Sequence, residues 1–126
     1  MVSPEIFPKS CVYSCLLCVA LLLCSSQKAL AHAVLVRSTP AAHAVVHGPD
    51  VQIVLHYNAR IDARRCSLTL IQVPAKEQPL FMQTPAGPAE LDAHAKGLVP
   101  AQYVLHWQVL ATDGHITQGE IPFTVQ

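Results

Sequence analysis

The sequence predicts an all-β domain, built as a Greek-key β-sandwich or barrel of about seven short strands. Three observations support this prediction: short segments alternate apolar and polar residues, prolines separate those segments, and no stretch of similar length shows helical spacing. The 126 residues and zero net charge fit a single domain and exclude a strongly basic or acidic binding tail.

The alternation identifies the strands in order along the chain. The apolar residues 33–36 are a candidate for a short edge strand. The strongest alternation follows in 51–57, where every second side chain is apolar. Comparable patterns cover 66–73, 102–109 and 121–125. Alternation of this kind turns one set of side chains towards a core and the other towards solvent, so each segment is predicted to be a half-buried strand.

Proline content predicts where the chain leaves the sheets. Residues 74–90 contain four prolines and one glycine and are predicted to form a long loop, and the polar stretch around His94 is interpreted in the same way. Pro122 falls inside the last predicted strand, where an edge or a bulge tolerates it. Tyr103 and Trp107 occupy the apolar phase of their strand and are predicted core residues.

The beginning of the chain has the features of a secretory signal peptide. Residues 11–24 are uncharged and apolar, yet too few for a membrane-spanning helix, which takes about 20 residues. An Ala-Leu-Ala sequence ending at Ala31 supplies a small-x-small cleavage site. We therefore divide the chain into a cleaved signal peptide, 1–31, and a β domain, 32–126. An uncleaved anchor and a lipoprotein modified at Cys24 are the alternatives.

Cleavage after Ala31 would set the chemistry of the remaining domain. Of the five cysteines only Cys66 lies outside the leader, so no disulfide can form within the domain, and Cys66 is predicted to be a buried, inert thiol. His32 would become the first residue, with an α-amine whose pKa of about 7.7–8.0 lets a metal displace its proton at neutral pH. That amine and the imidazole Nδ1 of His32 can close a chelate ring on one metal ion.

The other candidate metal-binding element is the sequence Asp113-Gly114-His115. On an extended segment Asp113 and His115 project to the same face, and Gly114 lets the backbone turn between them. An amine, imidazoles and a carboxylate, without sulfur, favour tetragonal Cu(II) among the first-row metals. The alternative is an ordinary β-turn, because Asp-Gly is a strong hairpin signal.

Most of the other histidines receive a structural interpretation. The chain has seven histidines, all after residue 31. Glu120 is a candidate partner for a ligand histidine, since such ligands usually donate their second N–H to a carboxylate or carbonyl. Polar strand faces, turns or loops are predicted for His43, His47, His56, His94 and His106.

Two long segments of the chain resemble a known family. HAVLVRSTPAAHAVVHGPDVQIVLHYNARID, which begins at His32, resembles the start of CopC-type periplasmic copper-binding and copper-resistance proteins. PAQYVLHWQVLATDGHITQGEIPFTV resembles their ending, so the resemblance covers 32–126. It implies a metal site formed by His32, Asp113 and His115, with no catalytic residues.

The resemblance also implies a fold, a cargo and partners. Members are small Greek-key sandwiches or barrels of the cupredoxin or immunoglobulin-like kind. We therefore expect a monomeric periplasmic protein, not an enzyme, that holds one Cu(II) ion in copper homeostasis, resistance or delivery. The expected partner is a CopD-type inner-membrane copper transporter or another copper-handling protein, with neither nucleic acid nor a small-molecule substrate.

A second copper site is not expected. Some members of the family carry a Met-rich loop, with a His, that binds Cu(I). The corresponding proline-rich segment of this chain contains only Met82 and no His, so the soft thioether ligands that Cu(I) prefers are missing.

Two other classes of function stay open at this point. An N-terminal histidine with a second histidine also forms the copper brace of lytic polysaccharide monooxygenases, which would make the chain a copper-dependent oxidative enzyme. Asp113 would crowd the position that oxygen needs in such a site. The chain could also be a metal-free β-sandwich interaction module in which the histidines are incidental.

Overall fold

The computed structural model describes residues 32–126. The predicted signal peptide, 1–31, lies outside the described residues. In the described part, nine β-strands are joined by turns and by one 3₁₀ helix, Ala63–Arg65, and no helix there is long and apolar enough to cross a membrane. The strands are β1 (Leu35–Thr39), β2 (Val45–Val46), β3 (Val51–Tyr57), β4 (Ser67–Gln72), β5 (Lys76–Pro79), β6 (Met82–Gln83), β7 (Glu90–Ala95), β8 (Ala101–Leu110) and β9 (Ile116–Val125).

The strands form two sheets around one hydrophobic core. One sheet has four strands in the order β1-β3-β7-β6, and the other has five in the order β2-β9-β8-β4-β5. Neighbouring strands are antiparallel except for the short β2–β9 pair. The predicted all-β sandwich is confirmed, and the strands are more numerous than predicted because segments predicted as turns or loops contain short strands.

Period-two alternation builds the core as predicted. In β3 every second residue from Val51 to Tyr57 is buried, while the residues between them are partly or fully exposed. Tyr103 and Trp107 are buried by the same pattern in β8, which confirms their predicted place in the core. The ring of Trp107 meets that of Tyr57 edge-on, with centroids 5.5 Å apart, and lies across the β8–β9 pair from Gly119.

Two predictions for the middle of the chain are wrong. Residues 74–90 are not one long loop, because they contain β5 and β6, which pair with β4 and β7. His94 lies on β7 rather than in a loop and is paired with Gln52 of β3. The buried face of β7 consists of Leu91 and two alanines. The small alanine side chains give little apolar signal between polar neighbours.

Pro122 fits its strand in the way that was predicted. β2 pairs only with Thr124 and Val125 of β9, so no strand lies beside β9 at Pro122. The Pro122 carbonyl points to that open flank and accepts a hydrogen bond from the backbone N–H of His43 at 2.6 Å. Because the N–H and C=O of one strand residue point to the same side, the missing N–H of Pro122 removes no hydrogen bond with β8.

Candidate metal centre

The connection between β8 and β9 presents the Asp-x-His motif. The turn is closed by hydrogen bonds of 2.9 Å from the N–H of Gly114 to the carbonyl of Ala111 and from the N–H of Ala111 to the carbonyl of His115. Gly114 has a φ of +90°, a conformation that side chains disfavour. The motif is therefore a β-turn, as one interpretation held, and the turn also places Asp113 and His115 side by side.

Asp113 and His115 form a tight local pair. Oδ2 of Asp113 lies 2.8 Å from Nδ1 of His115, and Oδ1 accepts the backbone N–H of His115 at 3.0 Å. That backbone N–H is the main reason why the pKa of Asp113 lies below its usual range, and the His115 and His32 rings lower it further. With its proton on Nδ1 donated to the carboxylate, His115 keeps the lone pair of Nε2 available for a ligand.

Hydrogen bonds hold the residues after His32 beside this turn. The hydroxyl of Thr117 donates to the Ala33 carbonyl at 2.7 Å, and the backbone N–H of Val34 donates to the side-chain oxygen of Asn58, also at 2.7 Å. The N–H of Asn58 returns a hydrogen bond of 3.0 Å to the Val34 carbonyl, and Ala33 is fully buried. These contacts fix the direction from which His32 approaches the turn.

The predicted ligands His32 and His115 meet in space. Their ring centroids are 4.4 Å apart, with the ring planes tilted by 39°. His115 has 58% of its side chain exposed and Asp113 has 24%, so an ion can reach both. Within 32–126, no three His, Cys, Asp or Glu side chains are already arranged around a common metal position.

Glu120 does not fill the role that the sequence suggested for it. Glu120 pairs with His106 across the β8–β9 ladder and lies four positions after Ile116, the first residue of β9. At about 3.3 Å per strand residue this puts Glu120 more than 10 Å along the strand from His115. The carboxylate that contacts the ligand histidine is that of Asp113.

The remaining histidine with a defined partner lies on the outer face of the four-stranded sheet. Nδ1 of His56 is 2.8 Å from a carboxylate oxygen of Glu90, and Nε2 is 3.0 Å from a guanidinium nitrogen of Arg37. Since Arg37 can only donate, Nε2 must accept, and the proton of His56 lies on Nδ1. This network links β1, β3 and β7, which agrees with the structural interpretation of His56.

Cys66 is the buried thiol that the sequence predicted. Its Sγ donates to the carbonyl of Asp62 at 3.1 Å, and the side chain lies in the hydrophobic core. Burial raises the pKa of Cys66, so the thiol stays protonated and is a poor metal ligand.

Sequence reasoning missed Asn58 and Thr117. Each side chain makes one hydrogen bond to the backbone next to His32. Polar residues at strand ends are common, and nothing in their spacing marks these two. Asn58 and Thr117 reach the Ala33–Val34 backbone only because the fold brings the end of β3 and the start of β9 next to it.

Comparisons with known proteins agree with this fold. A family model of the CopC domain matches residues 35–126. Copper resistance protein C of Xanthomonas campestris pv. juglandis is 29% identical over 110 residues, covering 81% of this chain and 86% of the relative. The crystal structure of CopC from Methylosinus trichosporium OB3b is similar with a TM-score of 0.70 and 28% identity, over 75% of this chain and 94% of that chain.

A further solved structure shares the fold alone. PcoC, a methionine-rich copper resistance protein from Escherichia coli, is similar with a TM-score of 0.65 and 23% identity, over 75% of this chain and 99% of that chain.

Fold and side chains together define a class of protein, a small two-sheet β domain that gathers imidazoles and a carboxylate at one end. The family model spans most of the chain, and the chain belongs to the CopC family. Its relatives are copper resistance proteins, not enzymes, which confirms the predicted class of function and sets aside the oxidative-enzyme alternative.

Proposed function

We propose that the chain binds one Cu(II) ion as cargo through His32, Asp113 and His115, and passes it to another copper-handling protein in the periplasm. The observation that supports this most strongly is the meeting of His32 and His115, with ring centroids 4.4 Å apart, beside a carboxylate 2.8 Å from His115. Residues that are distant in sequence thus bring exposed nitrogen and oxygen donor atoms together at one place.

The donor chemistry favours Cu(II). Nε2 of His115 keeps a free lone pair, and Asp113 is an ionised carboxylate at neutral pH, with a pKa below its usual range. If a signal peptidase cuts after Ala31, His32 adds its α-amine and imidazole, giving a nitrogen-rich set. Cys66 is buried and the chain offers no methionine cluster, so the available donors are those that suit Cu(II) rather than Cu(I).

Exposure of the donors fits a carrier better than a permanent cofactor site. His32 and His115 are both exposed, so a partner's ligands can approach the ion and replace them one at a time. In the copper-free chain Asp113 orients His115 through Nδ1, and the carboxylate has to release that hydrogen bond to become an oxygen ligand when the ion binds. We propose a monomer that exchanges copper with a CopD-type inner-membrane transporter or another copper-handling protein.

Copper titration of two matched variants tests this function. We expect His115→Ala, in the chain that begins at His32, to weaken Cu(II) binding by at least about 100-fold, since loss of even a supporting residue typically costs 10–100-fold. His94→Ala removes an imidazole from the outer face of β7 and should leave the affinity unchanged. Competition against a chelator of known affinity measures both. Equal affinities for the parent and His115→Ala would contradict the proposed site.

The role of Asp113 is tested separately. Asp113→Asn keeps the shape of the side chain but removes its charge, and we expect it to weaken Cu(II) binding by about 10–100-fold. The absorption and electron paramagnetic resonance spectra of the copper-loaded variant show whether the oxygen ligand has changed. An unaltered affinity and spectrum would remove Asp113 from the ligand set and leave the histidines.

A further inference from the structure

Three arginines are concentrated in the loop between β3 and β4. Arg60, Arg64 and Arg65 are exposed, and none lies in an ion pair with another described residue of 32–126. Within that range the chain has six Lys and Arg against seven Asp and Glu, so half of its cationic side chains lie in this one loop. The acidic residue of the loop, Asp62, accepts the backbone N–H of Arg64 at 3.2 Å. We call Arg60, Arg64 and Arg65 the basic loop.

The basic loop is fastened to the turn that carries Asp113 and His115. The N–H of Asp62 donates to the Leu110 carbonyl at 2.9 Å, and the N–H of Thr112 donates to the Arg60 carbonyl at 3.2 Å. Ile61 and Ala111 form an isolated β-bridge between the same two segments. The arginines and the candidate copper ligands therefore belong to one continuous end of the sandwich.

The basic loop and the turn together line an open depression of about 410 Å³. It is lined by Arg64, Arg65 and one carboxylate, Asp62, from the loop, by Thr112 and Gly114 from the turn, and by the apolar residues Ile61, Leu110 and Ala111. A protruding side chain of a partner can enter such a depression, whereas a flat bilayer surface cannot.

We propose that the basic loop is a docking surface for an acidic segment of the protein that exchanges copper with this chain. The biological meaning rests on the proposed function, because a bound Cu(II) ion would add positive charge beside the same loop. Complementary charge raises the rate at which partners meet and fixes their orientation more than it raises affinity. An acidic partner docked on the loop would hold its own ligands next to His115, where ligand exchange has to occur.

Transfer of copper to two matched peptides tests the docking surface. Each peptide begins with Gly-Gly-His, a Cu(II) chelator, and continues with a run of glutamates in one and of glutamines in the other. We expect the acidic peptide to take copper from the chain at least about tenfold faster at low salt, and the difference to disappear at high salt. Equal rates for both peptides at low salt would overturn the proposal.

Two double variants with the same change in charge assign the effect to the loop. We expect Arg64→Gln with Arg65→Gln to remove most of the preference for the acidic peptide. Lys76→Gln with Lys96→Gln should preserve it, because Lys76 and Lys96 follow the ends of β4 and β7 that lie away from Leu110. Equal losses in the two double variants would attribute the preference to overall charge and overturn the proposal.

A copper-free measurement separates this proposal from the proposed function. An acetylated glutamate peptide that lacks the Gly-Gly-His chelator should shift the amide resonances of 60–66 and 110–115 in the copper-free chain, and Arg64→Gln with Arg65→Gln should abolish the shifts. Such shifts support the docking surface even in a chain that fails the copper titration. Normal copper binding without these shifts refutes the docking surface and leaves the copper site intact.

Vesicles provide the competing outcome. The chain is mixed with vesicles of phosphatidylglycerol and, as a neutral control, of phosphatidylcholine. Binding to the anionic vesicles through Arg64 and Arg65, without any response to the acidic peptide, would assign the loop to the membrane surface and overturn the proposal. Absence of vesicle binding, together with the peptide response, supports an acidic protein partner.

Discussion

Gly119→Ala tests how closely the β8–β9 pair packs on the core. Gly119 lies directly across from Trp107 in the antiparallel register. A Cβ atom added to Gly119 would lie 2.6 Å from Cζ2 and 2.9 Å from Cε2 of the indole ring. Carbon atoms in contact normally lie about 3.5–4.0 Å apart, so the ring or the strand has to move by about 1 Å.

The size of the effect follows from the packing around the ring. Trp107 is only 7% exposed and meets Tyr57 edge-on, so it cannot move without disturbing a neighbour. Overpacking of this kind costs about 1–3 kcal/mol, and the restriction that alanine places on the unfolded chain offsets about 0.4–1 kcal/mol. The middle values of the two ranges give a net loss of about 1.3 kcal/mol. Such a loss lowers Tm by about 5–10 °C for a domain of this size.

Thermal unfolding followed by circular dichroism and by tryptophan fluorescence measures the loss, because Trp107 is the only tryptophan in the chain. Gly87→Ala is the control: a Cβ there meets no atom within 4 Å, so its Tm should be unchanged or slightly higher. A Gly119→Ala protein as stable as the parent would refute the packing of Trp107 on Gly119.

Two further substitutions probe the hydrogen bonds around the site and the outer sheet face. Thr117→Val removes the hydroxyl that donates to the Ala33 carbonyl. Denaturant unfolding should therefore show a free energy of unfolding lower by about 1 kcal/mol, and copper titration should show a weaker Cu(II) affinity. An unchanged affinity would contradict the anchoring of the N-terminal segment. Asp92→Asn should stabilise the domain at neutral pH, because it removes a charge that burial, and then the charge of Glu90, make unfavourable: both raise the pKa of Asp92, and its Oδ1 is buried without a partner. A carboxyl group whose pKa is raised by folding stabilises the native state below its unfolded-state pKa, and this stabilisation is lost as pH rises through its native-state pKa. The gain in Tm of Asp92→Asn over the parent should therefore vanish in acid. A gain of the same size in acid would refute this explanation.

Much of the fold follows from alternation alone. β3 matches its predicted segment, and β4 and β8 differ from theirs by one residue at each end. β7 was missed for a physical reason, since its buried positions hold alanines beside Leu91 and its outer positions hold Glu90, Asp92 and His94. Alanine is compatible with a core, a loop or a helix, so only the pairing with β3 and β6 identifies this segment as a strand.

The candidate site also has one part that local sequence predicts and another part that depends on the fold. The proximity of Asp113 and His115 is local: the sequence predicted it from an extended segment, whereas the structure produces it with a turn at Gly114. The approach of His32 depends on where β1 and β9 lie relative to each other, and no local pattern encodes that. The link between the basic loop and the turn is equally non-local, because it depends on the bridge between Ile61 and Ala111.

The position of the amino terminus decides whether His32 can chelate copper through its α-amine. Cu(II) affinity should be measured by chelator competition for the chain that begins at His32 and for the same chain with its α-amine acetylated. In the acetylated chain the nitrogen of His32 belongs to an amide and no free amine remains, so we expect Cu(II) binding to be weaker by at least about tenfold while Tm is unchanged. Equal affinities for the two chains would contradict the proposed Cu(II) site.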